Sequence, residues 1–175
     1  EGEIKAYIGL DISLLPNNRF VFCDNHFVID QELELFAHIR SQQLMPSSNT
    51  NLLMVENGCF VKDDFSHEQN LIIKENGKTL LIAGCAHKGI INIVNQFKQN
   101  KGFFPDFVIG GFHLYSHGKN QNEAPAVVEK IGQLLLETQA KYYTCHCNGV
   151  ESYNHLKTQM GENIEYISCG EQFTL

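Results

Sequence analysis

From residue 70 onward the chain alternates strand-length apolar runs with helix-periodic stretches, and that order leaves few folds open. "NLIIK" (70–74) and "KTLLIA" (78–83) are apolar runs joined by Glu75-Asn76-Gly77. Asn-Gly is a strong hairpin signal because both residues tolerate positive φ. Ile90, Ile91, Val94 and Phe97 then recur at helical spacing, and Lys101-Gly102 marks the stop. "DFVIGG" (106–111) predicts a strand. Residues 122–139 predict a helix, with Pro125 near its start and Val128, Ile131, Leu134 and Leu135 on one face. "KYYTC" (141–145), "VESYNHLKTQM" (150–160) and "NIEYIS" (163–168) complete the series as strand, helix and strand. The order β-β-α-β-α-β-α-β places successive parallel strands in one sheet, with their carboxyl ends along one edge.

The first part is less regular. "RFVFCD" (19–24) and "HFVIDQELELFA" (26–37) predict strands, after a turn at Pro16-Asn17-Asn18. "MPSSNTN" (45–51) is a loop by composition, "NLLMV" (51–55) a further short strand, and Glu56-Asn57-Gly58 a turn. With 175 residues, a single domain over 1–175 with a real core is expected. The opening Glu1-Gly2-Glu3 lacks a methionine, which fits a processed product or part of something longer.

Composition excludes several classes. The formal charge is −7, from 13 Lys and Arg against 20 Asp and Glu, so no nucleic-acid partner is expected. No apolar run approaches the roughly 20 residues that span a bilayer, and no membrane partner is expected. No basic-then-apolar leader is visible. Six cysteines in a chain of this length do not make a disulfide scaffold. Mostly free thiols, serving as small core residues in a reducing, cytoplasmic setting, are expected.

Three strand ends carry the same kind of sequence. The run 79–83 leads into Gly84-Cys85-Ala86-His87, the run 107–109 into Gly110-Gly111-Phe112-His113, and the run 141–144 into Cys145-His146-Cys147-Asn148-Gly149. Imidazoles on the tips of neighbouring parallel strands converge where ligands of open α/β sheets bind. The glycines allow tight turns and a close approach to a bound ion. Imidazole and thiolate are preferred ligands of zinc and similar borderline metals. A single histidine after a strand is more often a cap or a core residue. For three after three strands, a metal site and a chance cluster both stay open.

The remaining candidates have bland readings. His26 and His38 fit surface or half-buried strand positions, His117 a loop, and His155 the polar side of a short helix. His67, in "DDFSHEQNL" beside Asp63, Asp64 and Glu68, fits a solvated acidic turn as well as a site. Cys145 and Cys147 read as core thiols flanking His146, and Cys169 as structural.

At these residues the chain resembles the carboxy-terminal half of a metallo-beta-lactamase-fold protein. The subgroup it resembles is that of the metal-dependent hydrolases, or of the archaeal dihydropterin ribofuranosyl-aminobenzene phosphate synthase. The matching stretches are "DDFSHEQNLII", "LLIAGCAHKGIINIV", "VIGGFHL", "CHCNG" and "EYISCGEQFTL", in the family's order from about residue 59 to the end. "EIKAYIG" and the strands after it resemble the stretch upstream, less specifically. The resemblance implies an α+β fold, the αββα sandwich, with a metal site at one edge of its two packed sheets. This chain is mainly its second αβ half. The fold's main metal signature, His-x-His-x-Asp-His, lies in the amino-terminal half, and no such string occurs here. The chain is therefore expected to supply only the later ligands. The expected partner is the missing amino-terminal half or a second copy, pairing with an apolar inner sheet face.

The resemblance also implies roles. Cys85 occupies the place of a bridging carboxylate or cysteine ligand, His87 is the subgroup's addition that takes over the metal bond, and His146 matches the fold's last histidine ligand. His113 faces the same cleft as ligand or substrate contact. Lys88 and Asn148 are candidates for stabilising charge on the substrate, and His67 lies near the superfamily's middle ligand position. The implied cofactor is one or two divalent ions, zinc first, with iron or manganese as the other options. The implied chemistry is hydrolysis through a metal-bound hydroxide attacking a phosphoryl or acyl centre of a small-molecule substrate. Amides at the start of the helix after His87 are expected to favour an anion such as a substrate phosphate. The alternative is a non-catalytic scaffold or interaction domain that keeps the fold without a complete metal site. A redox role for the thiols ranks below both, because the spacing is Cys-x-Cys and not Cys-x-x-Cys.

Overall fold

Apolar periodicity is realised element by element in the computed structural model, which describes residues 6–172 and 174. The start of "EIKAYIG" (3–5) and two residues of "EQFTL" (173 and 175) lie outside the described residues. In chain order the elements are β1 (His26–Val28), β2 (Leu33–Phe36), β3 (Leu53–Glu56), β4 (Cys59–Lys62), β5 (Asn70–Glu75) and β6 (Lys78–Ala83). They continue as α1 (Ile90–Lys101), β7 (Phe107–Gly110), β8 (Tyr115–Ser116), β9 (Gln121–Asn122), α2 (Pro125–Leu136), β10 (Lys141–Thr144), α3 (Val150–Met160) and β11 (Ile164–Tyr166). The β5–β6 hairpin turns through Asn76 and Gly77 with φ of 50° and 76°, and Gly102 ends α1 with φ of 85°. Both are the left-handed conformations those residues were expected to supply.

Three expectations are corrected. Residues 19–24 form no strand among the described residues, and Val21 and Phe22 are exposed. Their alternation is local, whereas a strand needs a neighbour to pair with. The stretch 26–37 is a hairpin and not one strand. The Asp30 carboxylate accepts the N–H groups of Glu32 and Leu33, 2.8 Å each, and so reverses the chain. The helix expected over 122–139 runs from Pro125 to Leu136, because residues 121–122 pair with β8 instead.

Seven strands form one sheet in the order β1-β2-β5-β6-β7-β10-β11. From β1 to β6 the pairing is antiparallel. From β6 through β7 and β10 to β11 it is parallel, with α1, α2 and α3 as the crossovers. Ile72, Leu81, Val108, Tyr142 and Ile164 stand side by side across five strands, all fully buried. The helices cover this row with Ile93, Phe97, Val128, Ile131, Leu135 and Leu156 in one continuous core. Gly132 lets α2 approach α3: a Cβ there would meet Leu156 at 3.2 Å.

The opposite face is apolar too. Leu35, Leu71, Ile82 and Ile109 form one row and Leu33, Ile73, Leu80 and Phe107 another. All eight are only half-buried. Among the described residues no helix is long and apolar enough to cross a membrane. The six cysteines are free, as expected, yet only Cys147 is a buried core thiol; Cys59 and Cys169 are exposed.

Candidate metal centre

The tips of β6, β7 and β10 are drawn together by glycines. Gly111 donates its N–H to the Gly84 carbonyl oxygen at 2.8 Å. A Cβ at Gly110 would lie 2.5 Å from the Ala83 oxygen, and one at Gly111 2.6 Å from Cys147 Sγ, so any side chain would push the tips apart. Each tip also carries a non-glycine residue with left-handed backbone: Ala86 at φ 58°, His113 at 53° and His146 at 55°. Such a conformation costs roughly 1–2 kcal/mol per residue, and it concentrates where a site is pre-organised.

His87 is held on several sides. Its ring stacks on Phe65 (centroids 4.8 Å apart, 7° between planes) and touches the His113 ring at 4.1 Å. Nδ1 lies 3.1 Å from Asn49 Oδ1, and the Nδ2 of the same amide donates to the His87 carbonyl oxygen at 2.7 Å. The neighbouring Ser48 hydroxyl donates to the His113 carbonyl oxygen at 2.6 Å. The short turn Ser47–Asn51 thus grips two of the three tips.

Both ring nitrogens of His113 are buried and find no hydrogen-bond partner among the described residues. Burial, and then the neighbouring charge of His87, push its pKa down to about 4, so the ring is neutral at pH 7 with a lone pair to offer. Other buried polar atoms at this edge of the sheet also lack partners among the described residues: Asn70, opposite Ala83, at both ends of its amide, Thr144 Oγ1, opposite Gly110, and Asn148 Oδ1. Native proteins rarely leave such atoms unpaired, and a missing ion is one standard reason.

The thiols join this group. One donor atom from each of Cys85, His146 and Cys147 lie within 4.8 Å of one another. A hydrogen bond from Cys147 and one from His87, then the charges of His87 and His146, hold the Cys85 thiol well below its ordinary range against the opposing effect of burial. Its partner Cys147 is pushed up, first by the hydrogen bond to Cys85 and then by burial. Of the four expected ligands, the Cys85 sulfur adjoins both His87 and His146 and the His87 ring touches His113, while the three clustered donors are Cys85, His146 and Cys147.

The three candidate substrate contacts are placed differently. Lys88 is buried and its ammonium donates to the Asp64 carbonyl oxygen at 3.2 Å, bracing the turn. Asn148 is fully buried beside the β10 tip. His67 is 70% exposed, 3.7 Å from Asp63, with its ring 6.3 Å from Phe65 at the rim. In the turn just before α1 the buried Glu68 carboxylate accepts the N–H of His87 at 2.7 Å and of Lys88 at 3.0 Å. Those two amides are therefore not a phosphate cradle. Glu68, Phe65, Asn49 and the inward Cys147 escape sequence reasoning. Only Glu68 left a signal, as a carboxylate just before an apolar strand.

No family model matches the chain. It is 29% identical over 121 residues to 7,8-dihydropterin-6-methyl-4-(beta-D-ribofuranosyl)-aminobenzene-5'-phosphate synthase of Methanocaldococcus jannaschii, covering 69% of this chain and 40% of that protein. An uncharacterized protein of the same archaeon is 25% identical over 159 residues, covering 87% of this chain and 56% of its own. Among solved structures, Tm1679, a metal-dependent hydrolase of the beta-lactamase superfamily, matches with a TM-score of 0.75 at 23% identity, covering 88% of this chain and 57% of that one. The chain spans between 40% and 57% of the length of these proteins. Its fold is the one Tm1679 adopts over that span, and its sequence is similar to that of the archaeal synthase.

Proposed function

We propose that the chain is the later part of a metal-dependent hydrolase, or of a related phosphate-releasing synthase, built on the metallo-beta-lactamase fold. The observation that carries this reading is His113: a neutral imidazole, both nitrogens buried without a partner among the described residues, in ring contact with His87 and near the Cys85 thiol. Imidazole and thiolate donors suit zinc best, with iron as the nearer alternative and manganese the poorer one. His87, His113, His146 and Cys85 would hold the ion. When bound, it supplies Lewis acidity toward water and toward a phosphoryl or acyl oxygen.

The chain's own residues prepare that site. Asn49 and Phe65 orient His87, Glu68 fixes the turn that carries it, and Gly111 keeps the tips close. His67 stands at the exposed rim, where a substrate would arrive. Asn148 keeps an unpaired carbonyl oxygen at the same edge. A second set of ligands belongs, in this reading, to a segment that docks on the half-buried apolar face opposite the helices. The archaeal synthase makes a phosphorylated small molecule the first substrate class to try. A cytoplasmic setting belongs to the same reading, supported by six free thiols.

Metal analysis of the purified protein tests this. Zinc, iron or manganese should be present in stoichiometric amount, and His113→Ala should weaken its affinity by at least about tenfold. Unchanged metal affinity in that variant, with the fold intact by circular dichroism, removes His113 from the ligand set, and an absence of stoichiometric metal in the wild type overturns the proposal and favours a non-catalytic domain.

A further inference from the structure

We infer that Cys147 is a metal donor in its own right, so that Cys85, Cys147 and His146 form a sulfur-rich position for a zinc-like ion beside the imidazoles of His87 and His113. The inference deepens the metal-dependent reading and rests on it. In an extended strand, successive side chains point to opposite faces, so an imidazole and the next thiol diverge. His146 breaks that alternation. Its backbone is left-handed at φ 55°, and the short turn His146–Asn148 brings its ring and the Cys147 sulfur to one side.

The thiol then reaches past an intervening strand. β7 lies between β6 and β10 in the sheet, yet Cys147 Sγ comes within 3.5 Å of the Cys85 carbonyl oxygen. It passes over Gly111, where a Cβ would meet the sulfur at 2.6 Å and Cys85 Cα at 3.5 Å. The absence of a side chain at residue 111 is what allows two thiols 62 residues apart in sequence to meet. Cys145, two residues away on the same tip, is not among the three clustered donors.

Distances agree with an ion-binding role. Tetrahedral zinc, with bonds of about 2.0–2.3 Å, sets its donors roughly 3.5 Å apart. The three donors here lie within 4.8 Å of one another, near the spacing that three of the four tetrahedral positions require. Two thiolates with imidazole select zinc over manganese or magnesium, which prefer oxygen.

Titration of the purified, reduced, metal-free chain with Co²⁺, followed by competition with Zn²⁺, tests the inference. Wild type should develop the intense near-ultraviolet sulfur-to-cobalt absorption of two thiolates. Cys147→Ser should lose about half of it and bind zinc at least about tenfold more weakly, while Cys145→Ser changes neither. If Cys147→Ser fails to fold, X-ray absorption at the zinc edge of the wild-type protein decides: two sulfur neighbours support the inference. One sulfur with nitrogen neighbours, or full absorption retained in Cys147→Ser, overturns it and leaves the metal-dependent reading standing. An absence of metal binding overturns both.

Discussion

The helix-covered row of the sheet and the strand tips just beyond it are a few residues apart and obey opposite rules. In the row, Ile72, Leu81, Val108, Tyr142 and Ile164 are fully buried. The buried carboxylate opposite Ile72, Glu34, has three partners: His26 at 2.6 Å, Lys74 at 3.0 Å and Lys101. At the tips, Asn70, His113, Thr144 and Asn148 keep buried polar atoms with no partner among the described residues, and three non-glycine residues sit in left-handed backbone. Stability is built in the first region and surrendered in the second. That division is the pattern expected where local rules are broken for function.

The sharpest way to break the comparison is Leu81→Ala. A cavity at the centre of the row should cost about 3 kcal/mol in urea unfolding, whereas Ile82→Ala, next in sequence but on the half-buried face, should cost about 1 kcal/mol. Equal losses would mean that the two faces are covered alike.

Glu34 comes next. Burial alone would raise its carboxyl, but hydrogen bonds from Lys101, His26 and Lys74 outweigh it and hold the pKa at about 2. The folded value lies below the unfolded one, so the stabilisation is full above about pH 4.5 and disappears as pH falls toward 2. Glu34→Gln should therefore be destabilised by about 2 kcal/mol at pH 7, discounted for the partly exposed Lys74, and by progressively less below pH 4. A difference that does not shrink with acid would show that packing, not charge, holds this corner.

The smallest effect should have the opposite sign. Thr144→Val replaces an orphaned hydroxyl by a methyl of the same shape, and should leave the metal-free protein unchanged or up to about 1 kcal/mol more stable. Destabilisation beyond that in thermal unfolding would reveal a partner for the hydroxyl and weaken the contrast between row and tips.

The order of elements from residue 70 could be read from the sequence because each signal there is local: Asn76-Gly77 for the hairpin, Gly102 for the end of α1, and Val150–Met160 as a helix to the residue. Reading failed where a distant partner decides, and at one place where a side chain turns its own backbone. Residues 19–24 have strand-like alternation but no pairing neighbour among the described residues, and the break at Asp30 depends on one side chain folding back on its own backbone. The site divides in the same way. Histidines with glycines close by at three strand ends marked the tips. The inward turn of Cys147 depends on the backbone angle of His146, and the clamp on His87 comes from residues 19 and 38 positions upstream. That the amides of His87 and Lys88 are taken by Glu68, from another part of the chain, was not legible either.

The turn Ser47–Asn51 has a consequence for how such a site is tuned. It orients two histidine-bearing tips through Ser48 and Asn49. The rotational freedom of the His87 ring is already lost when the chain folds, so an arriving ion has less disorder left to remove. On the proposed metal-binding reading, substitutions in this polar loop would strengthen or loosen the grip on an ion while every proposed ligand stays in place, which makes the loop a dial that drift or selection can turn independently of the chemistry.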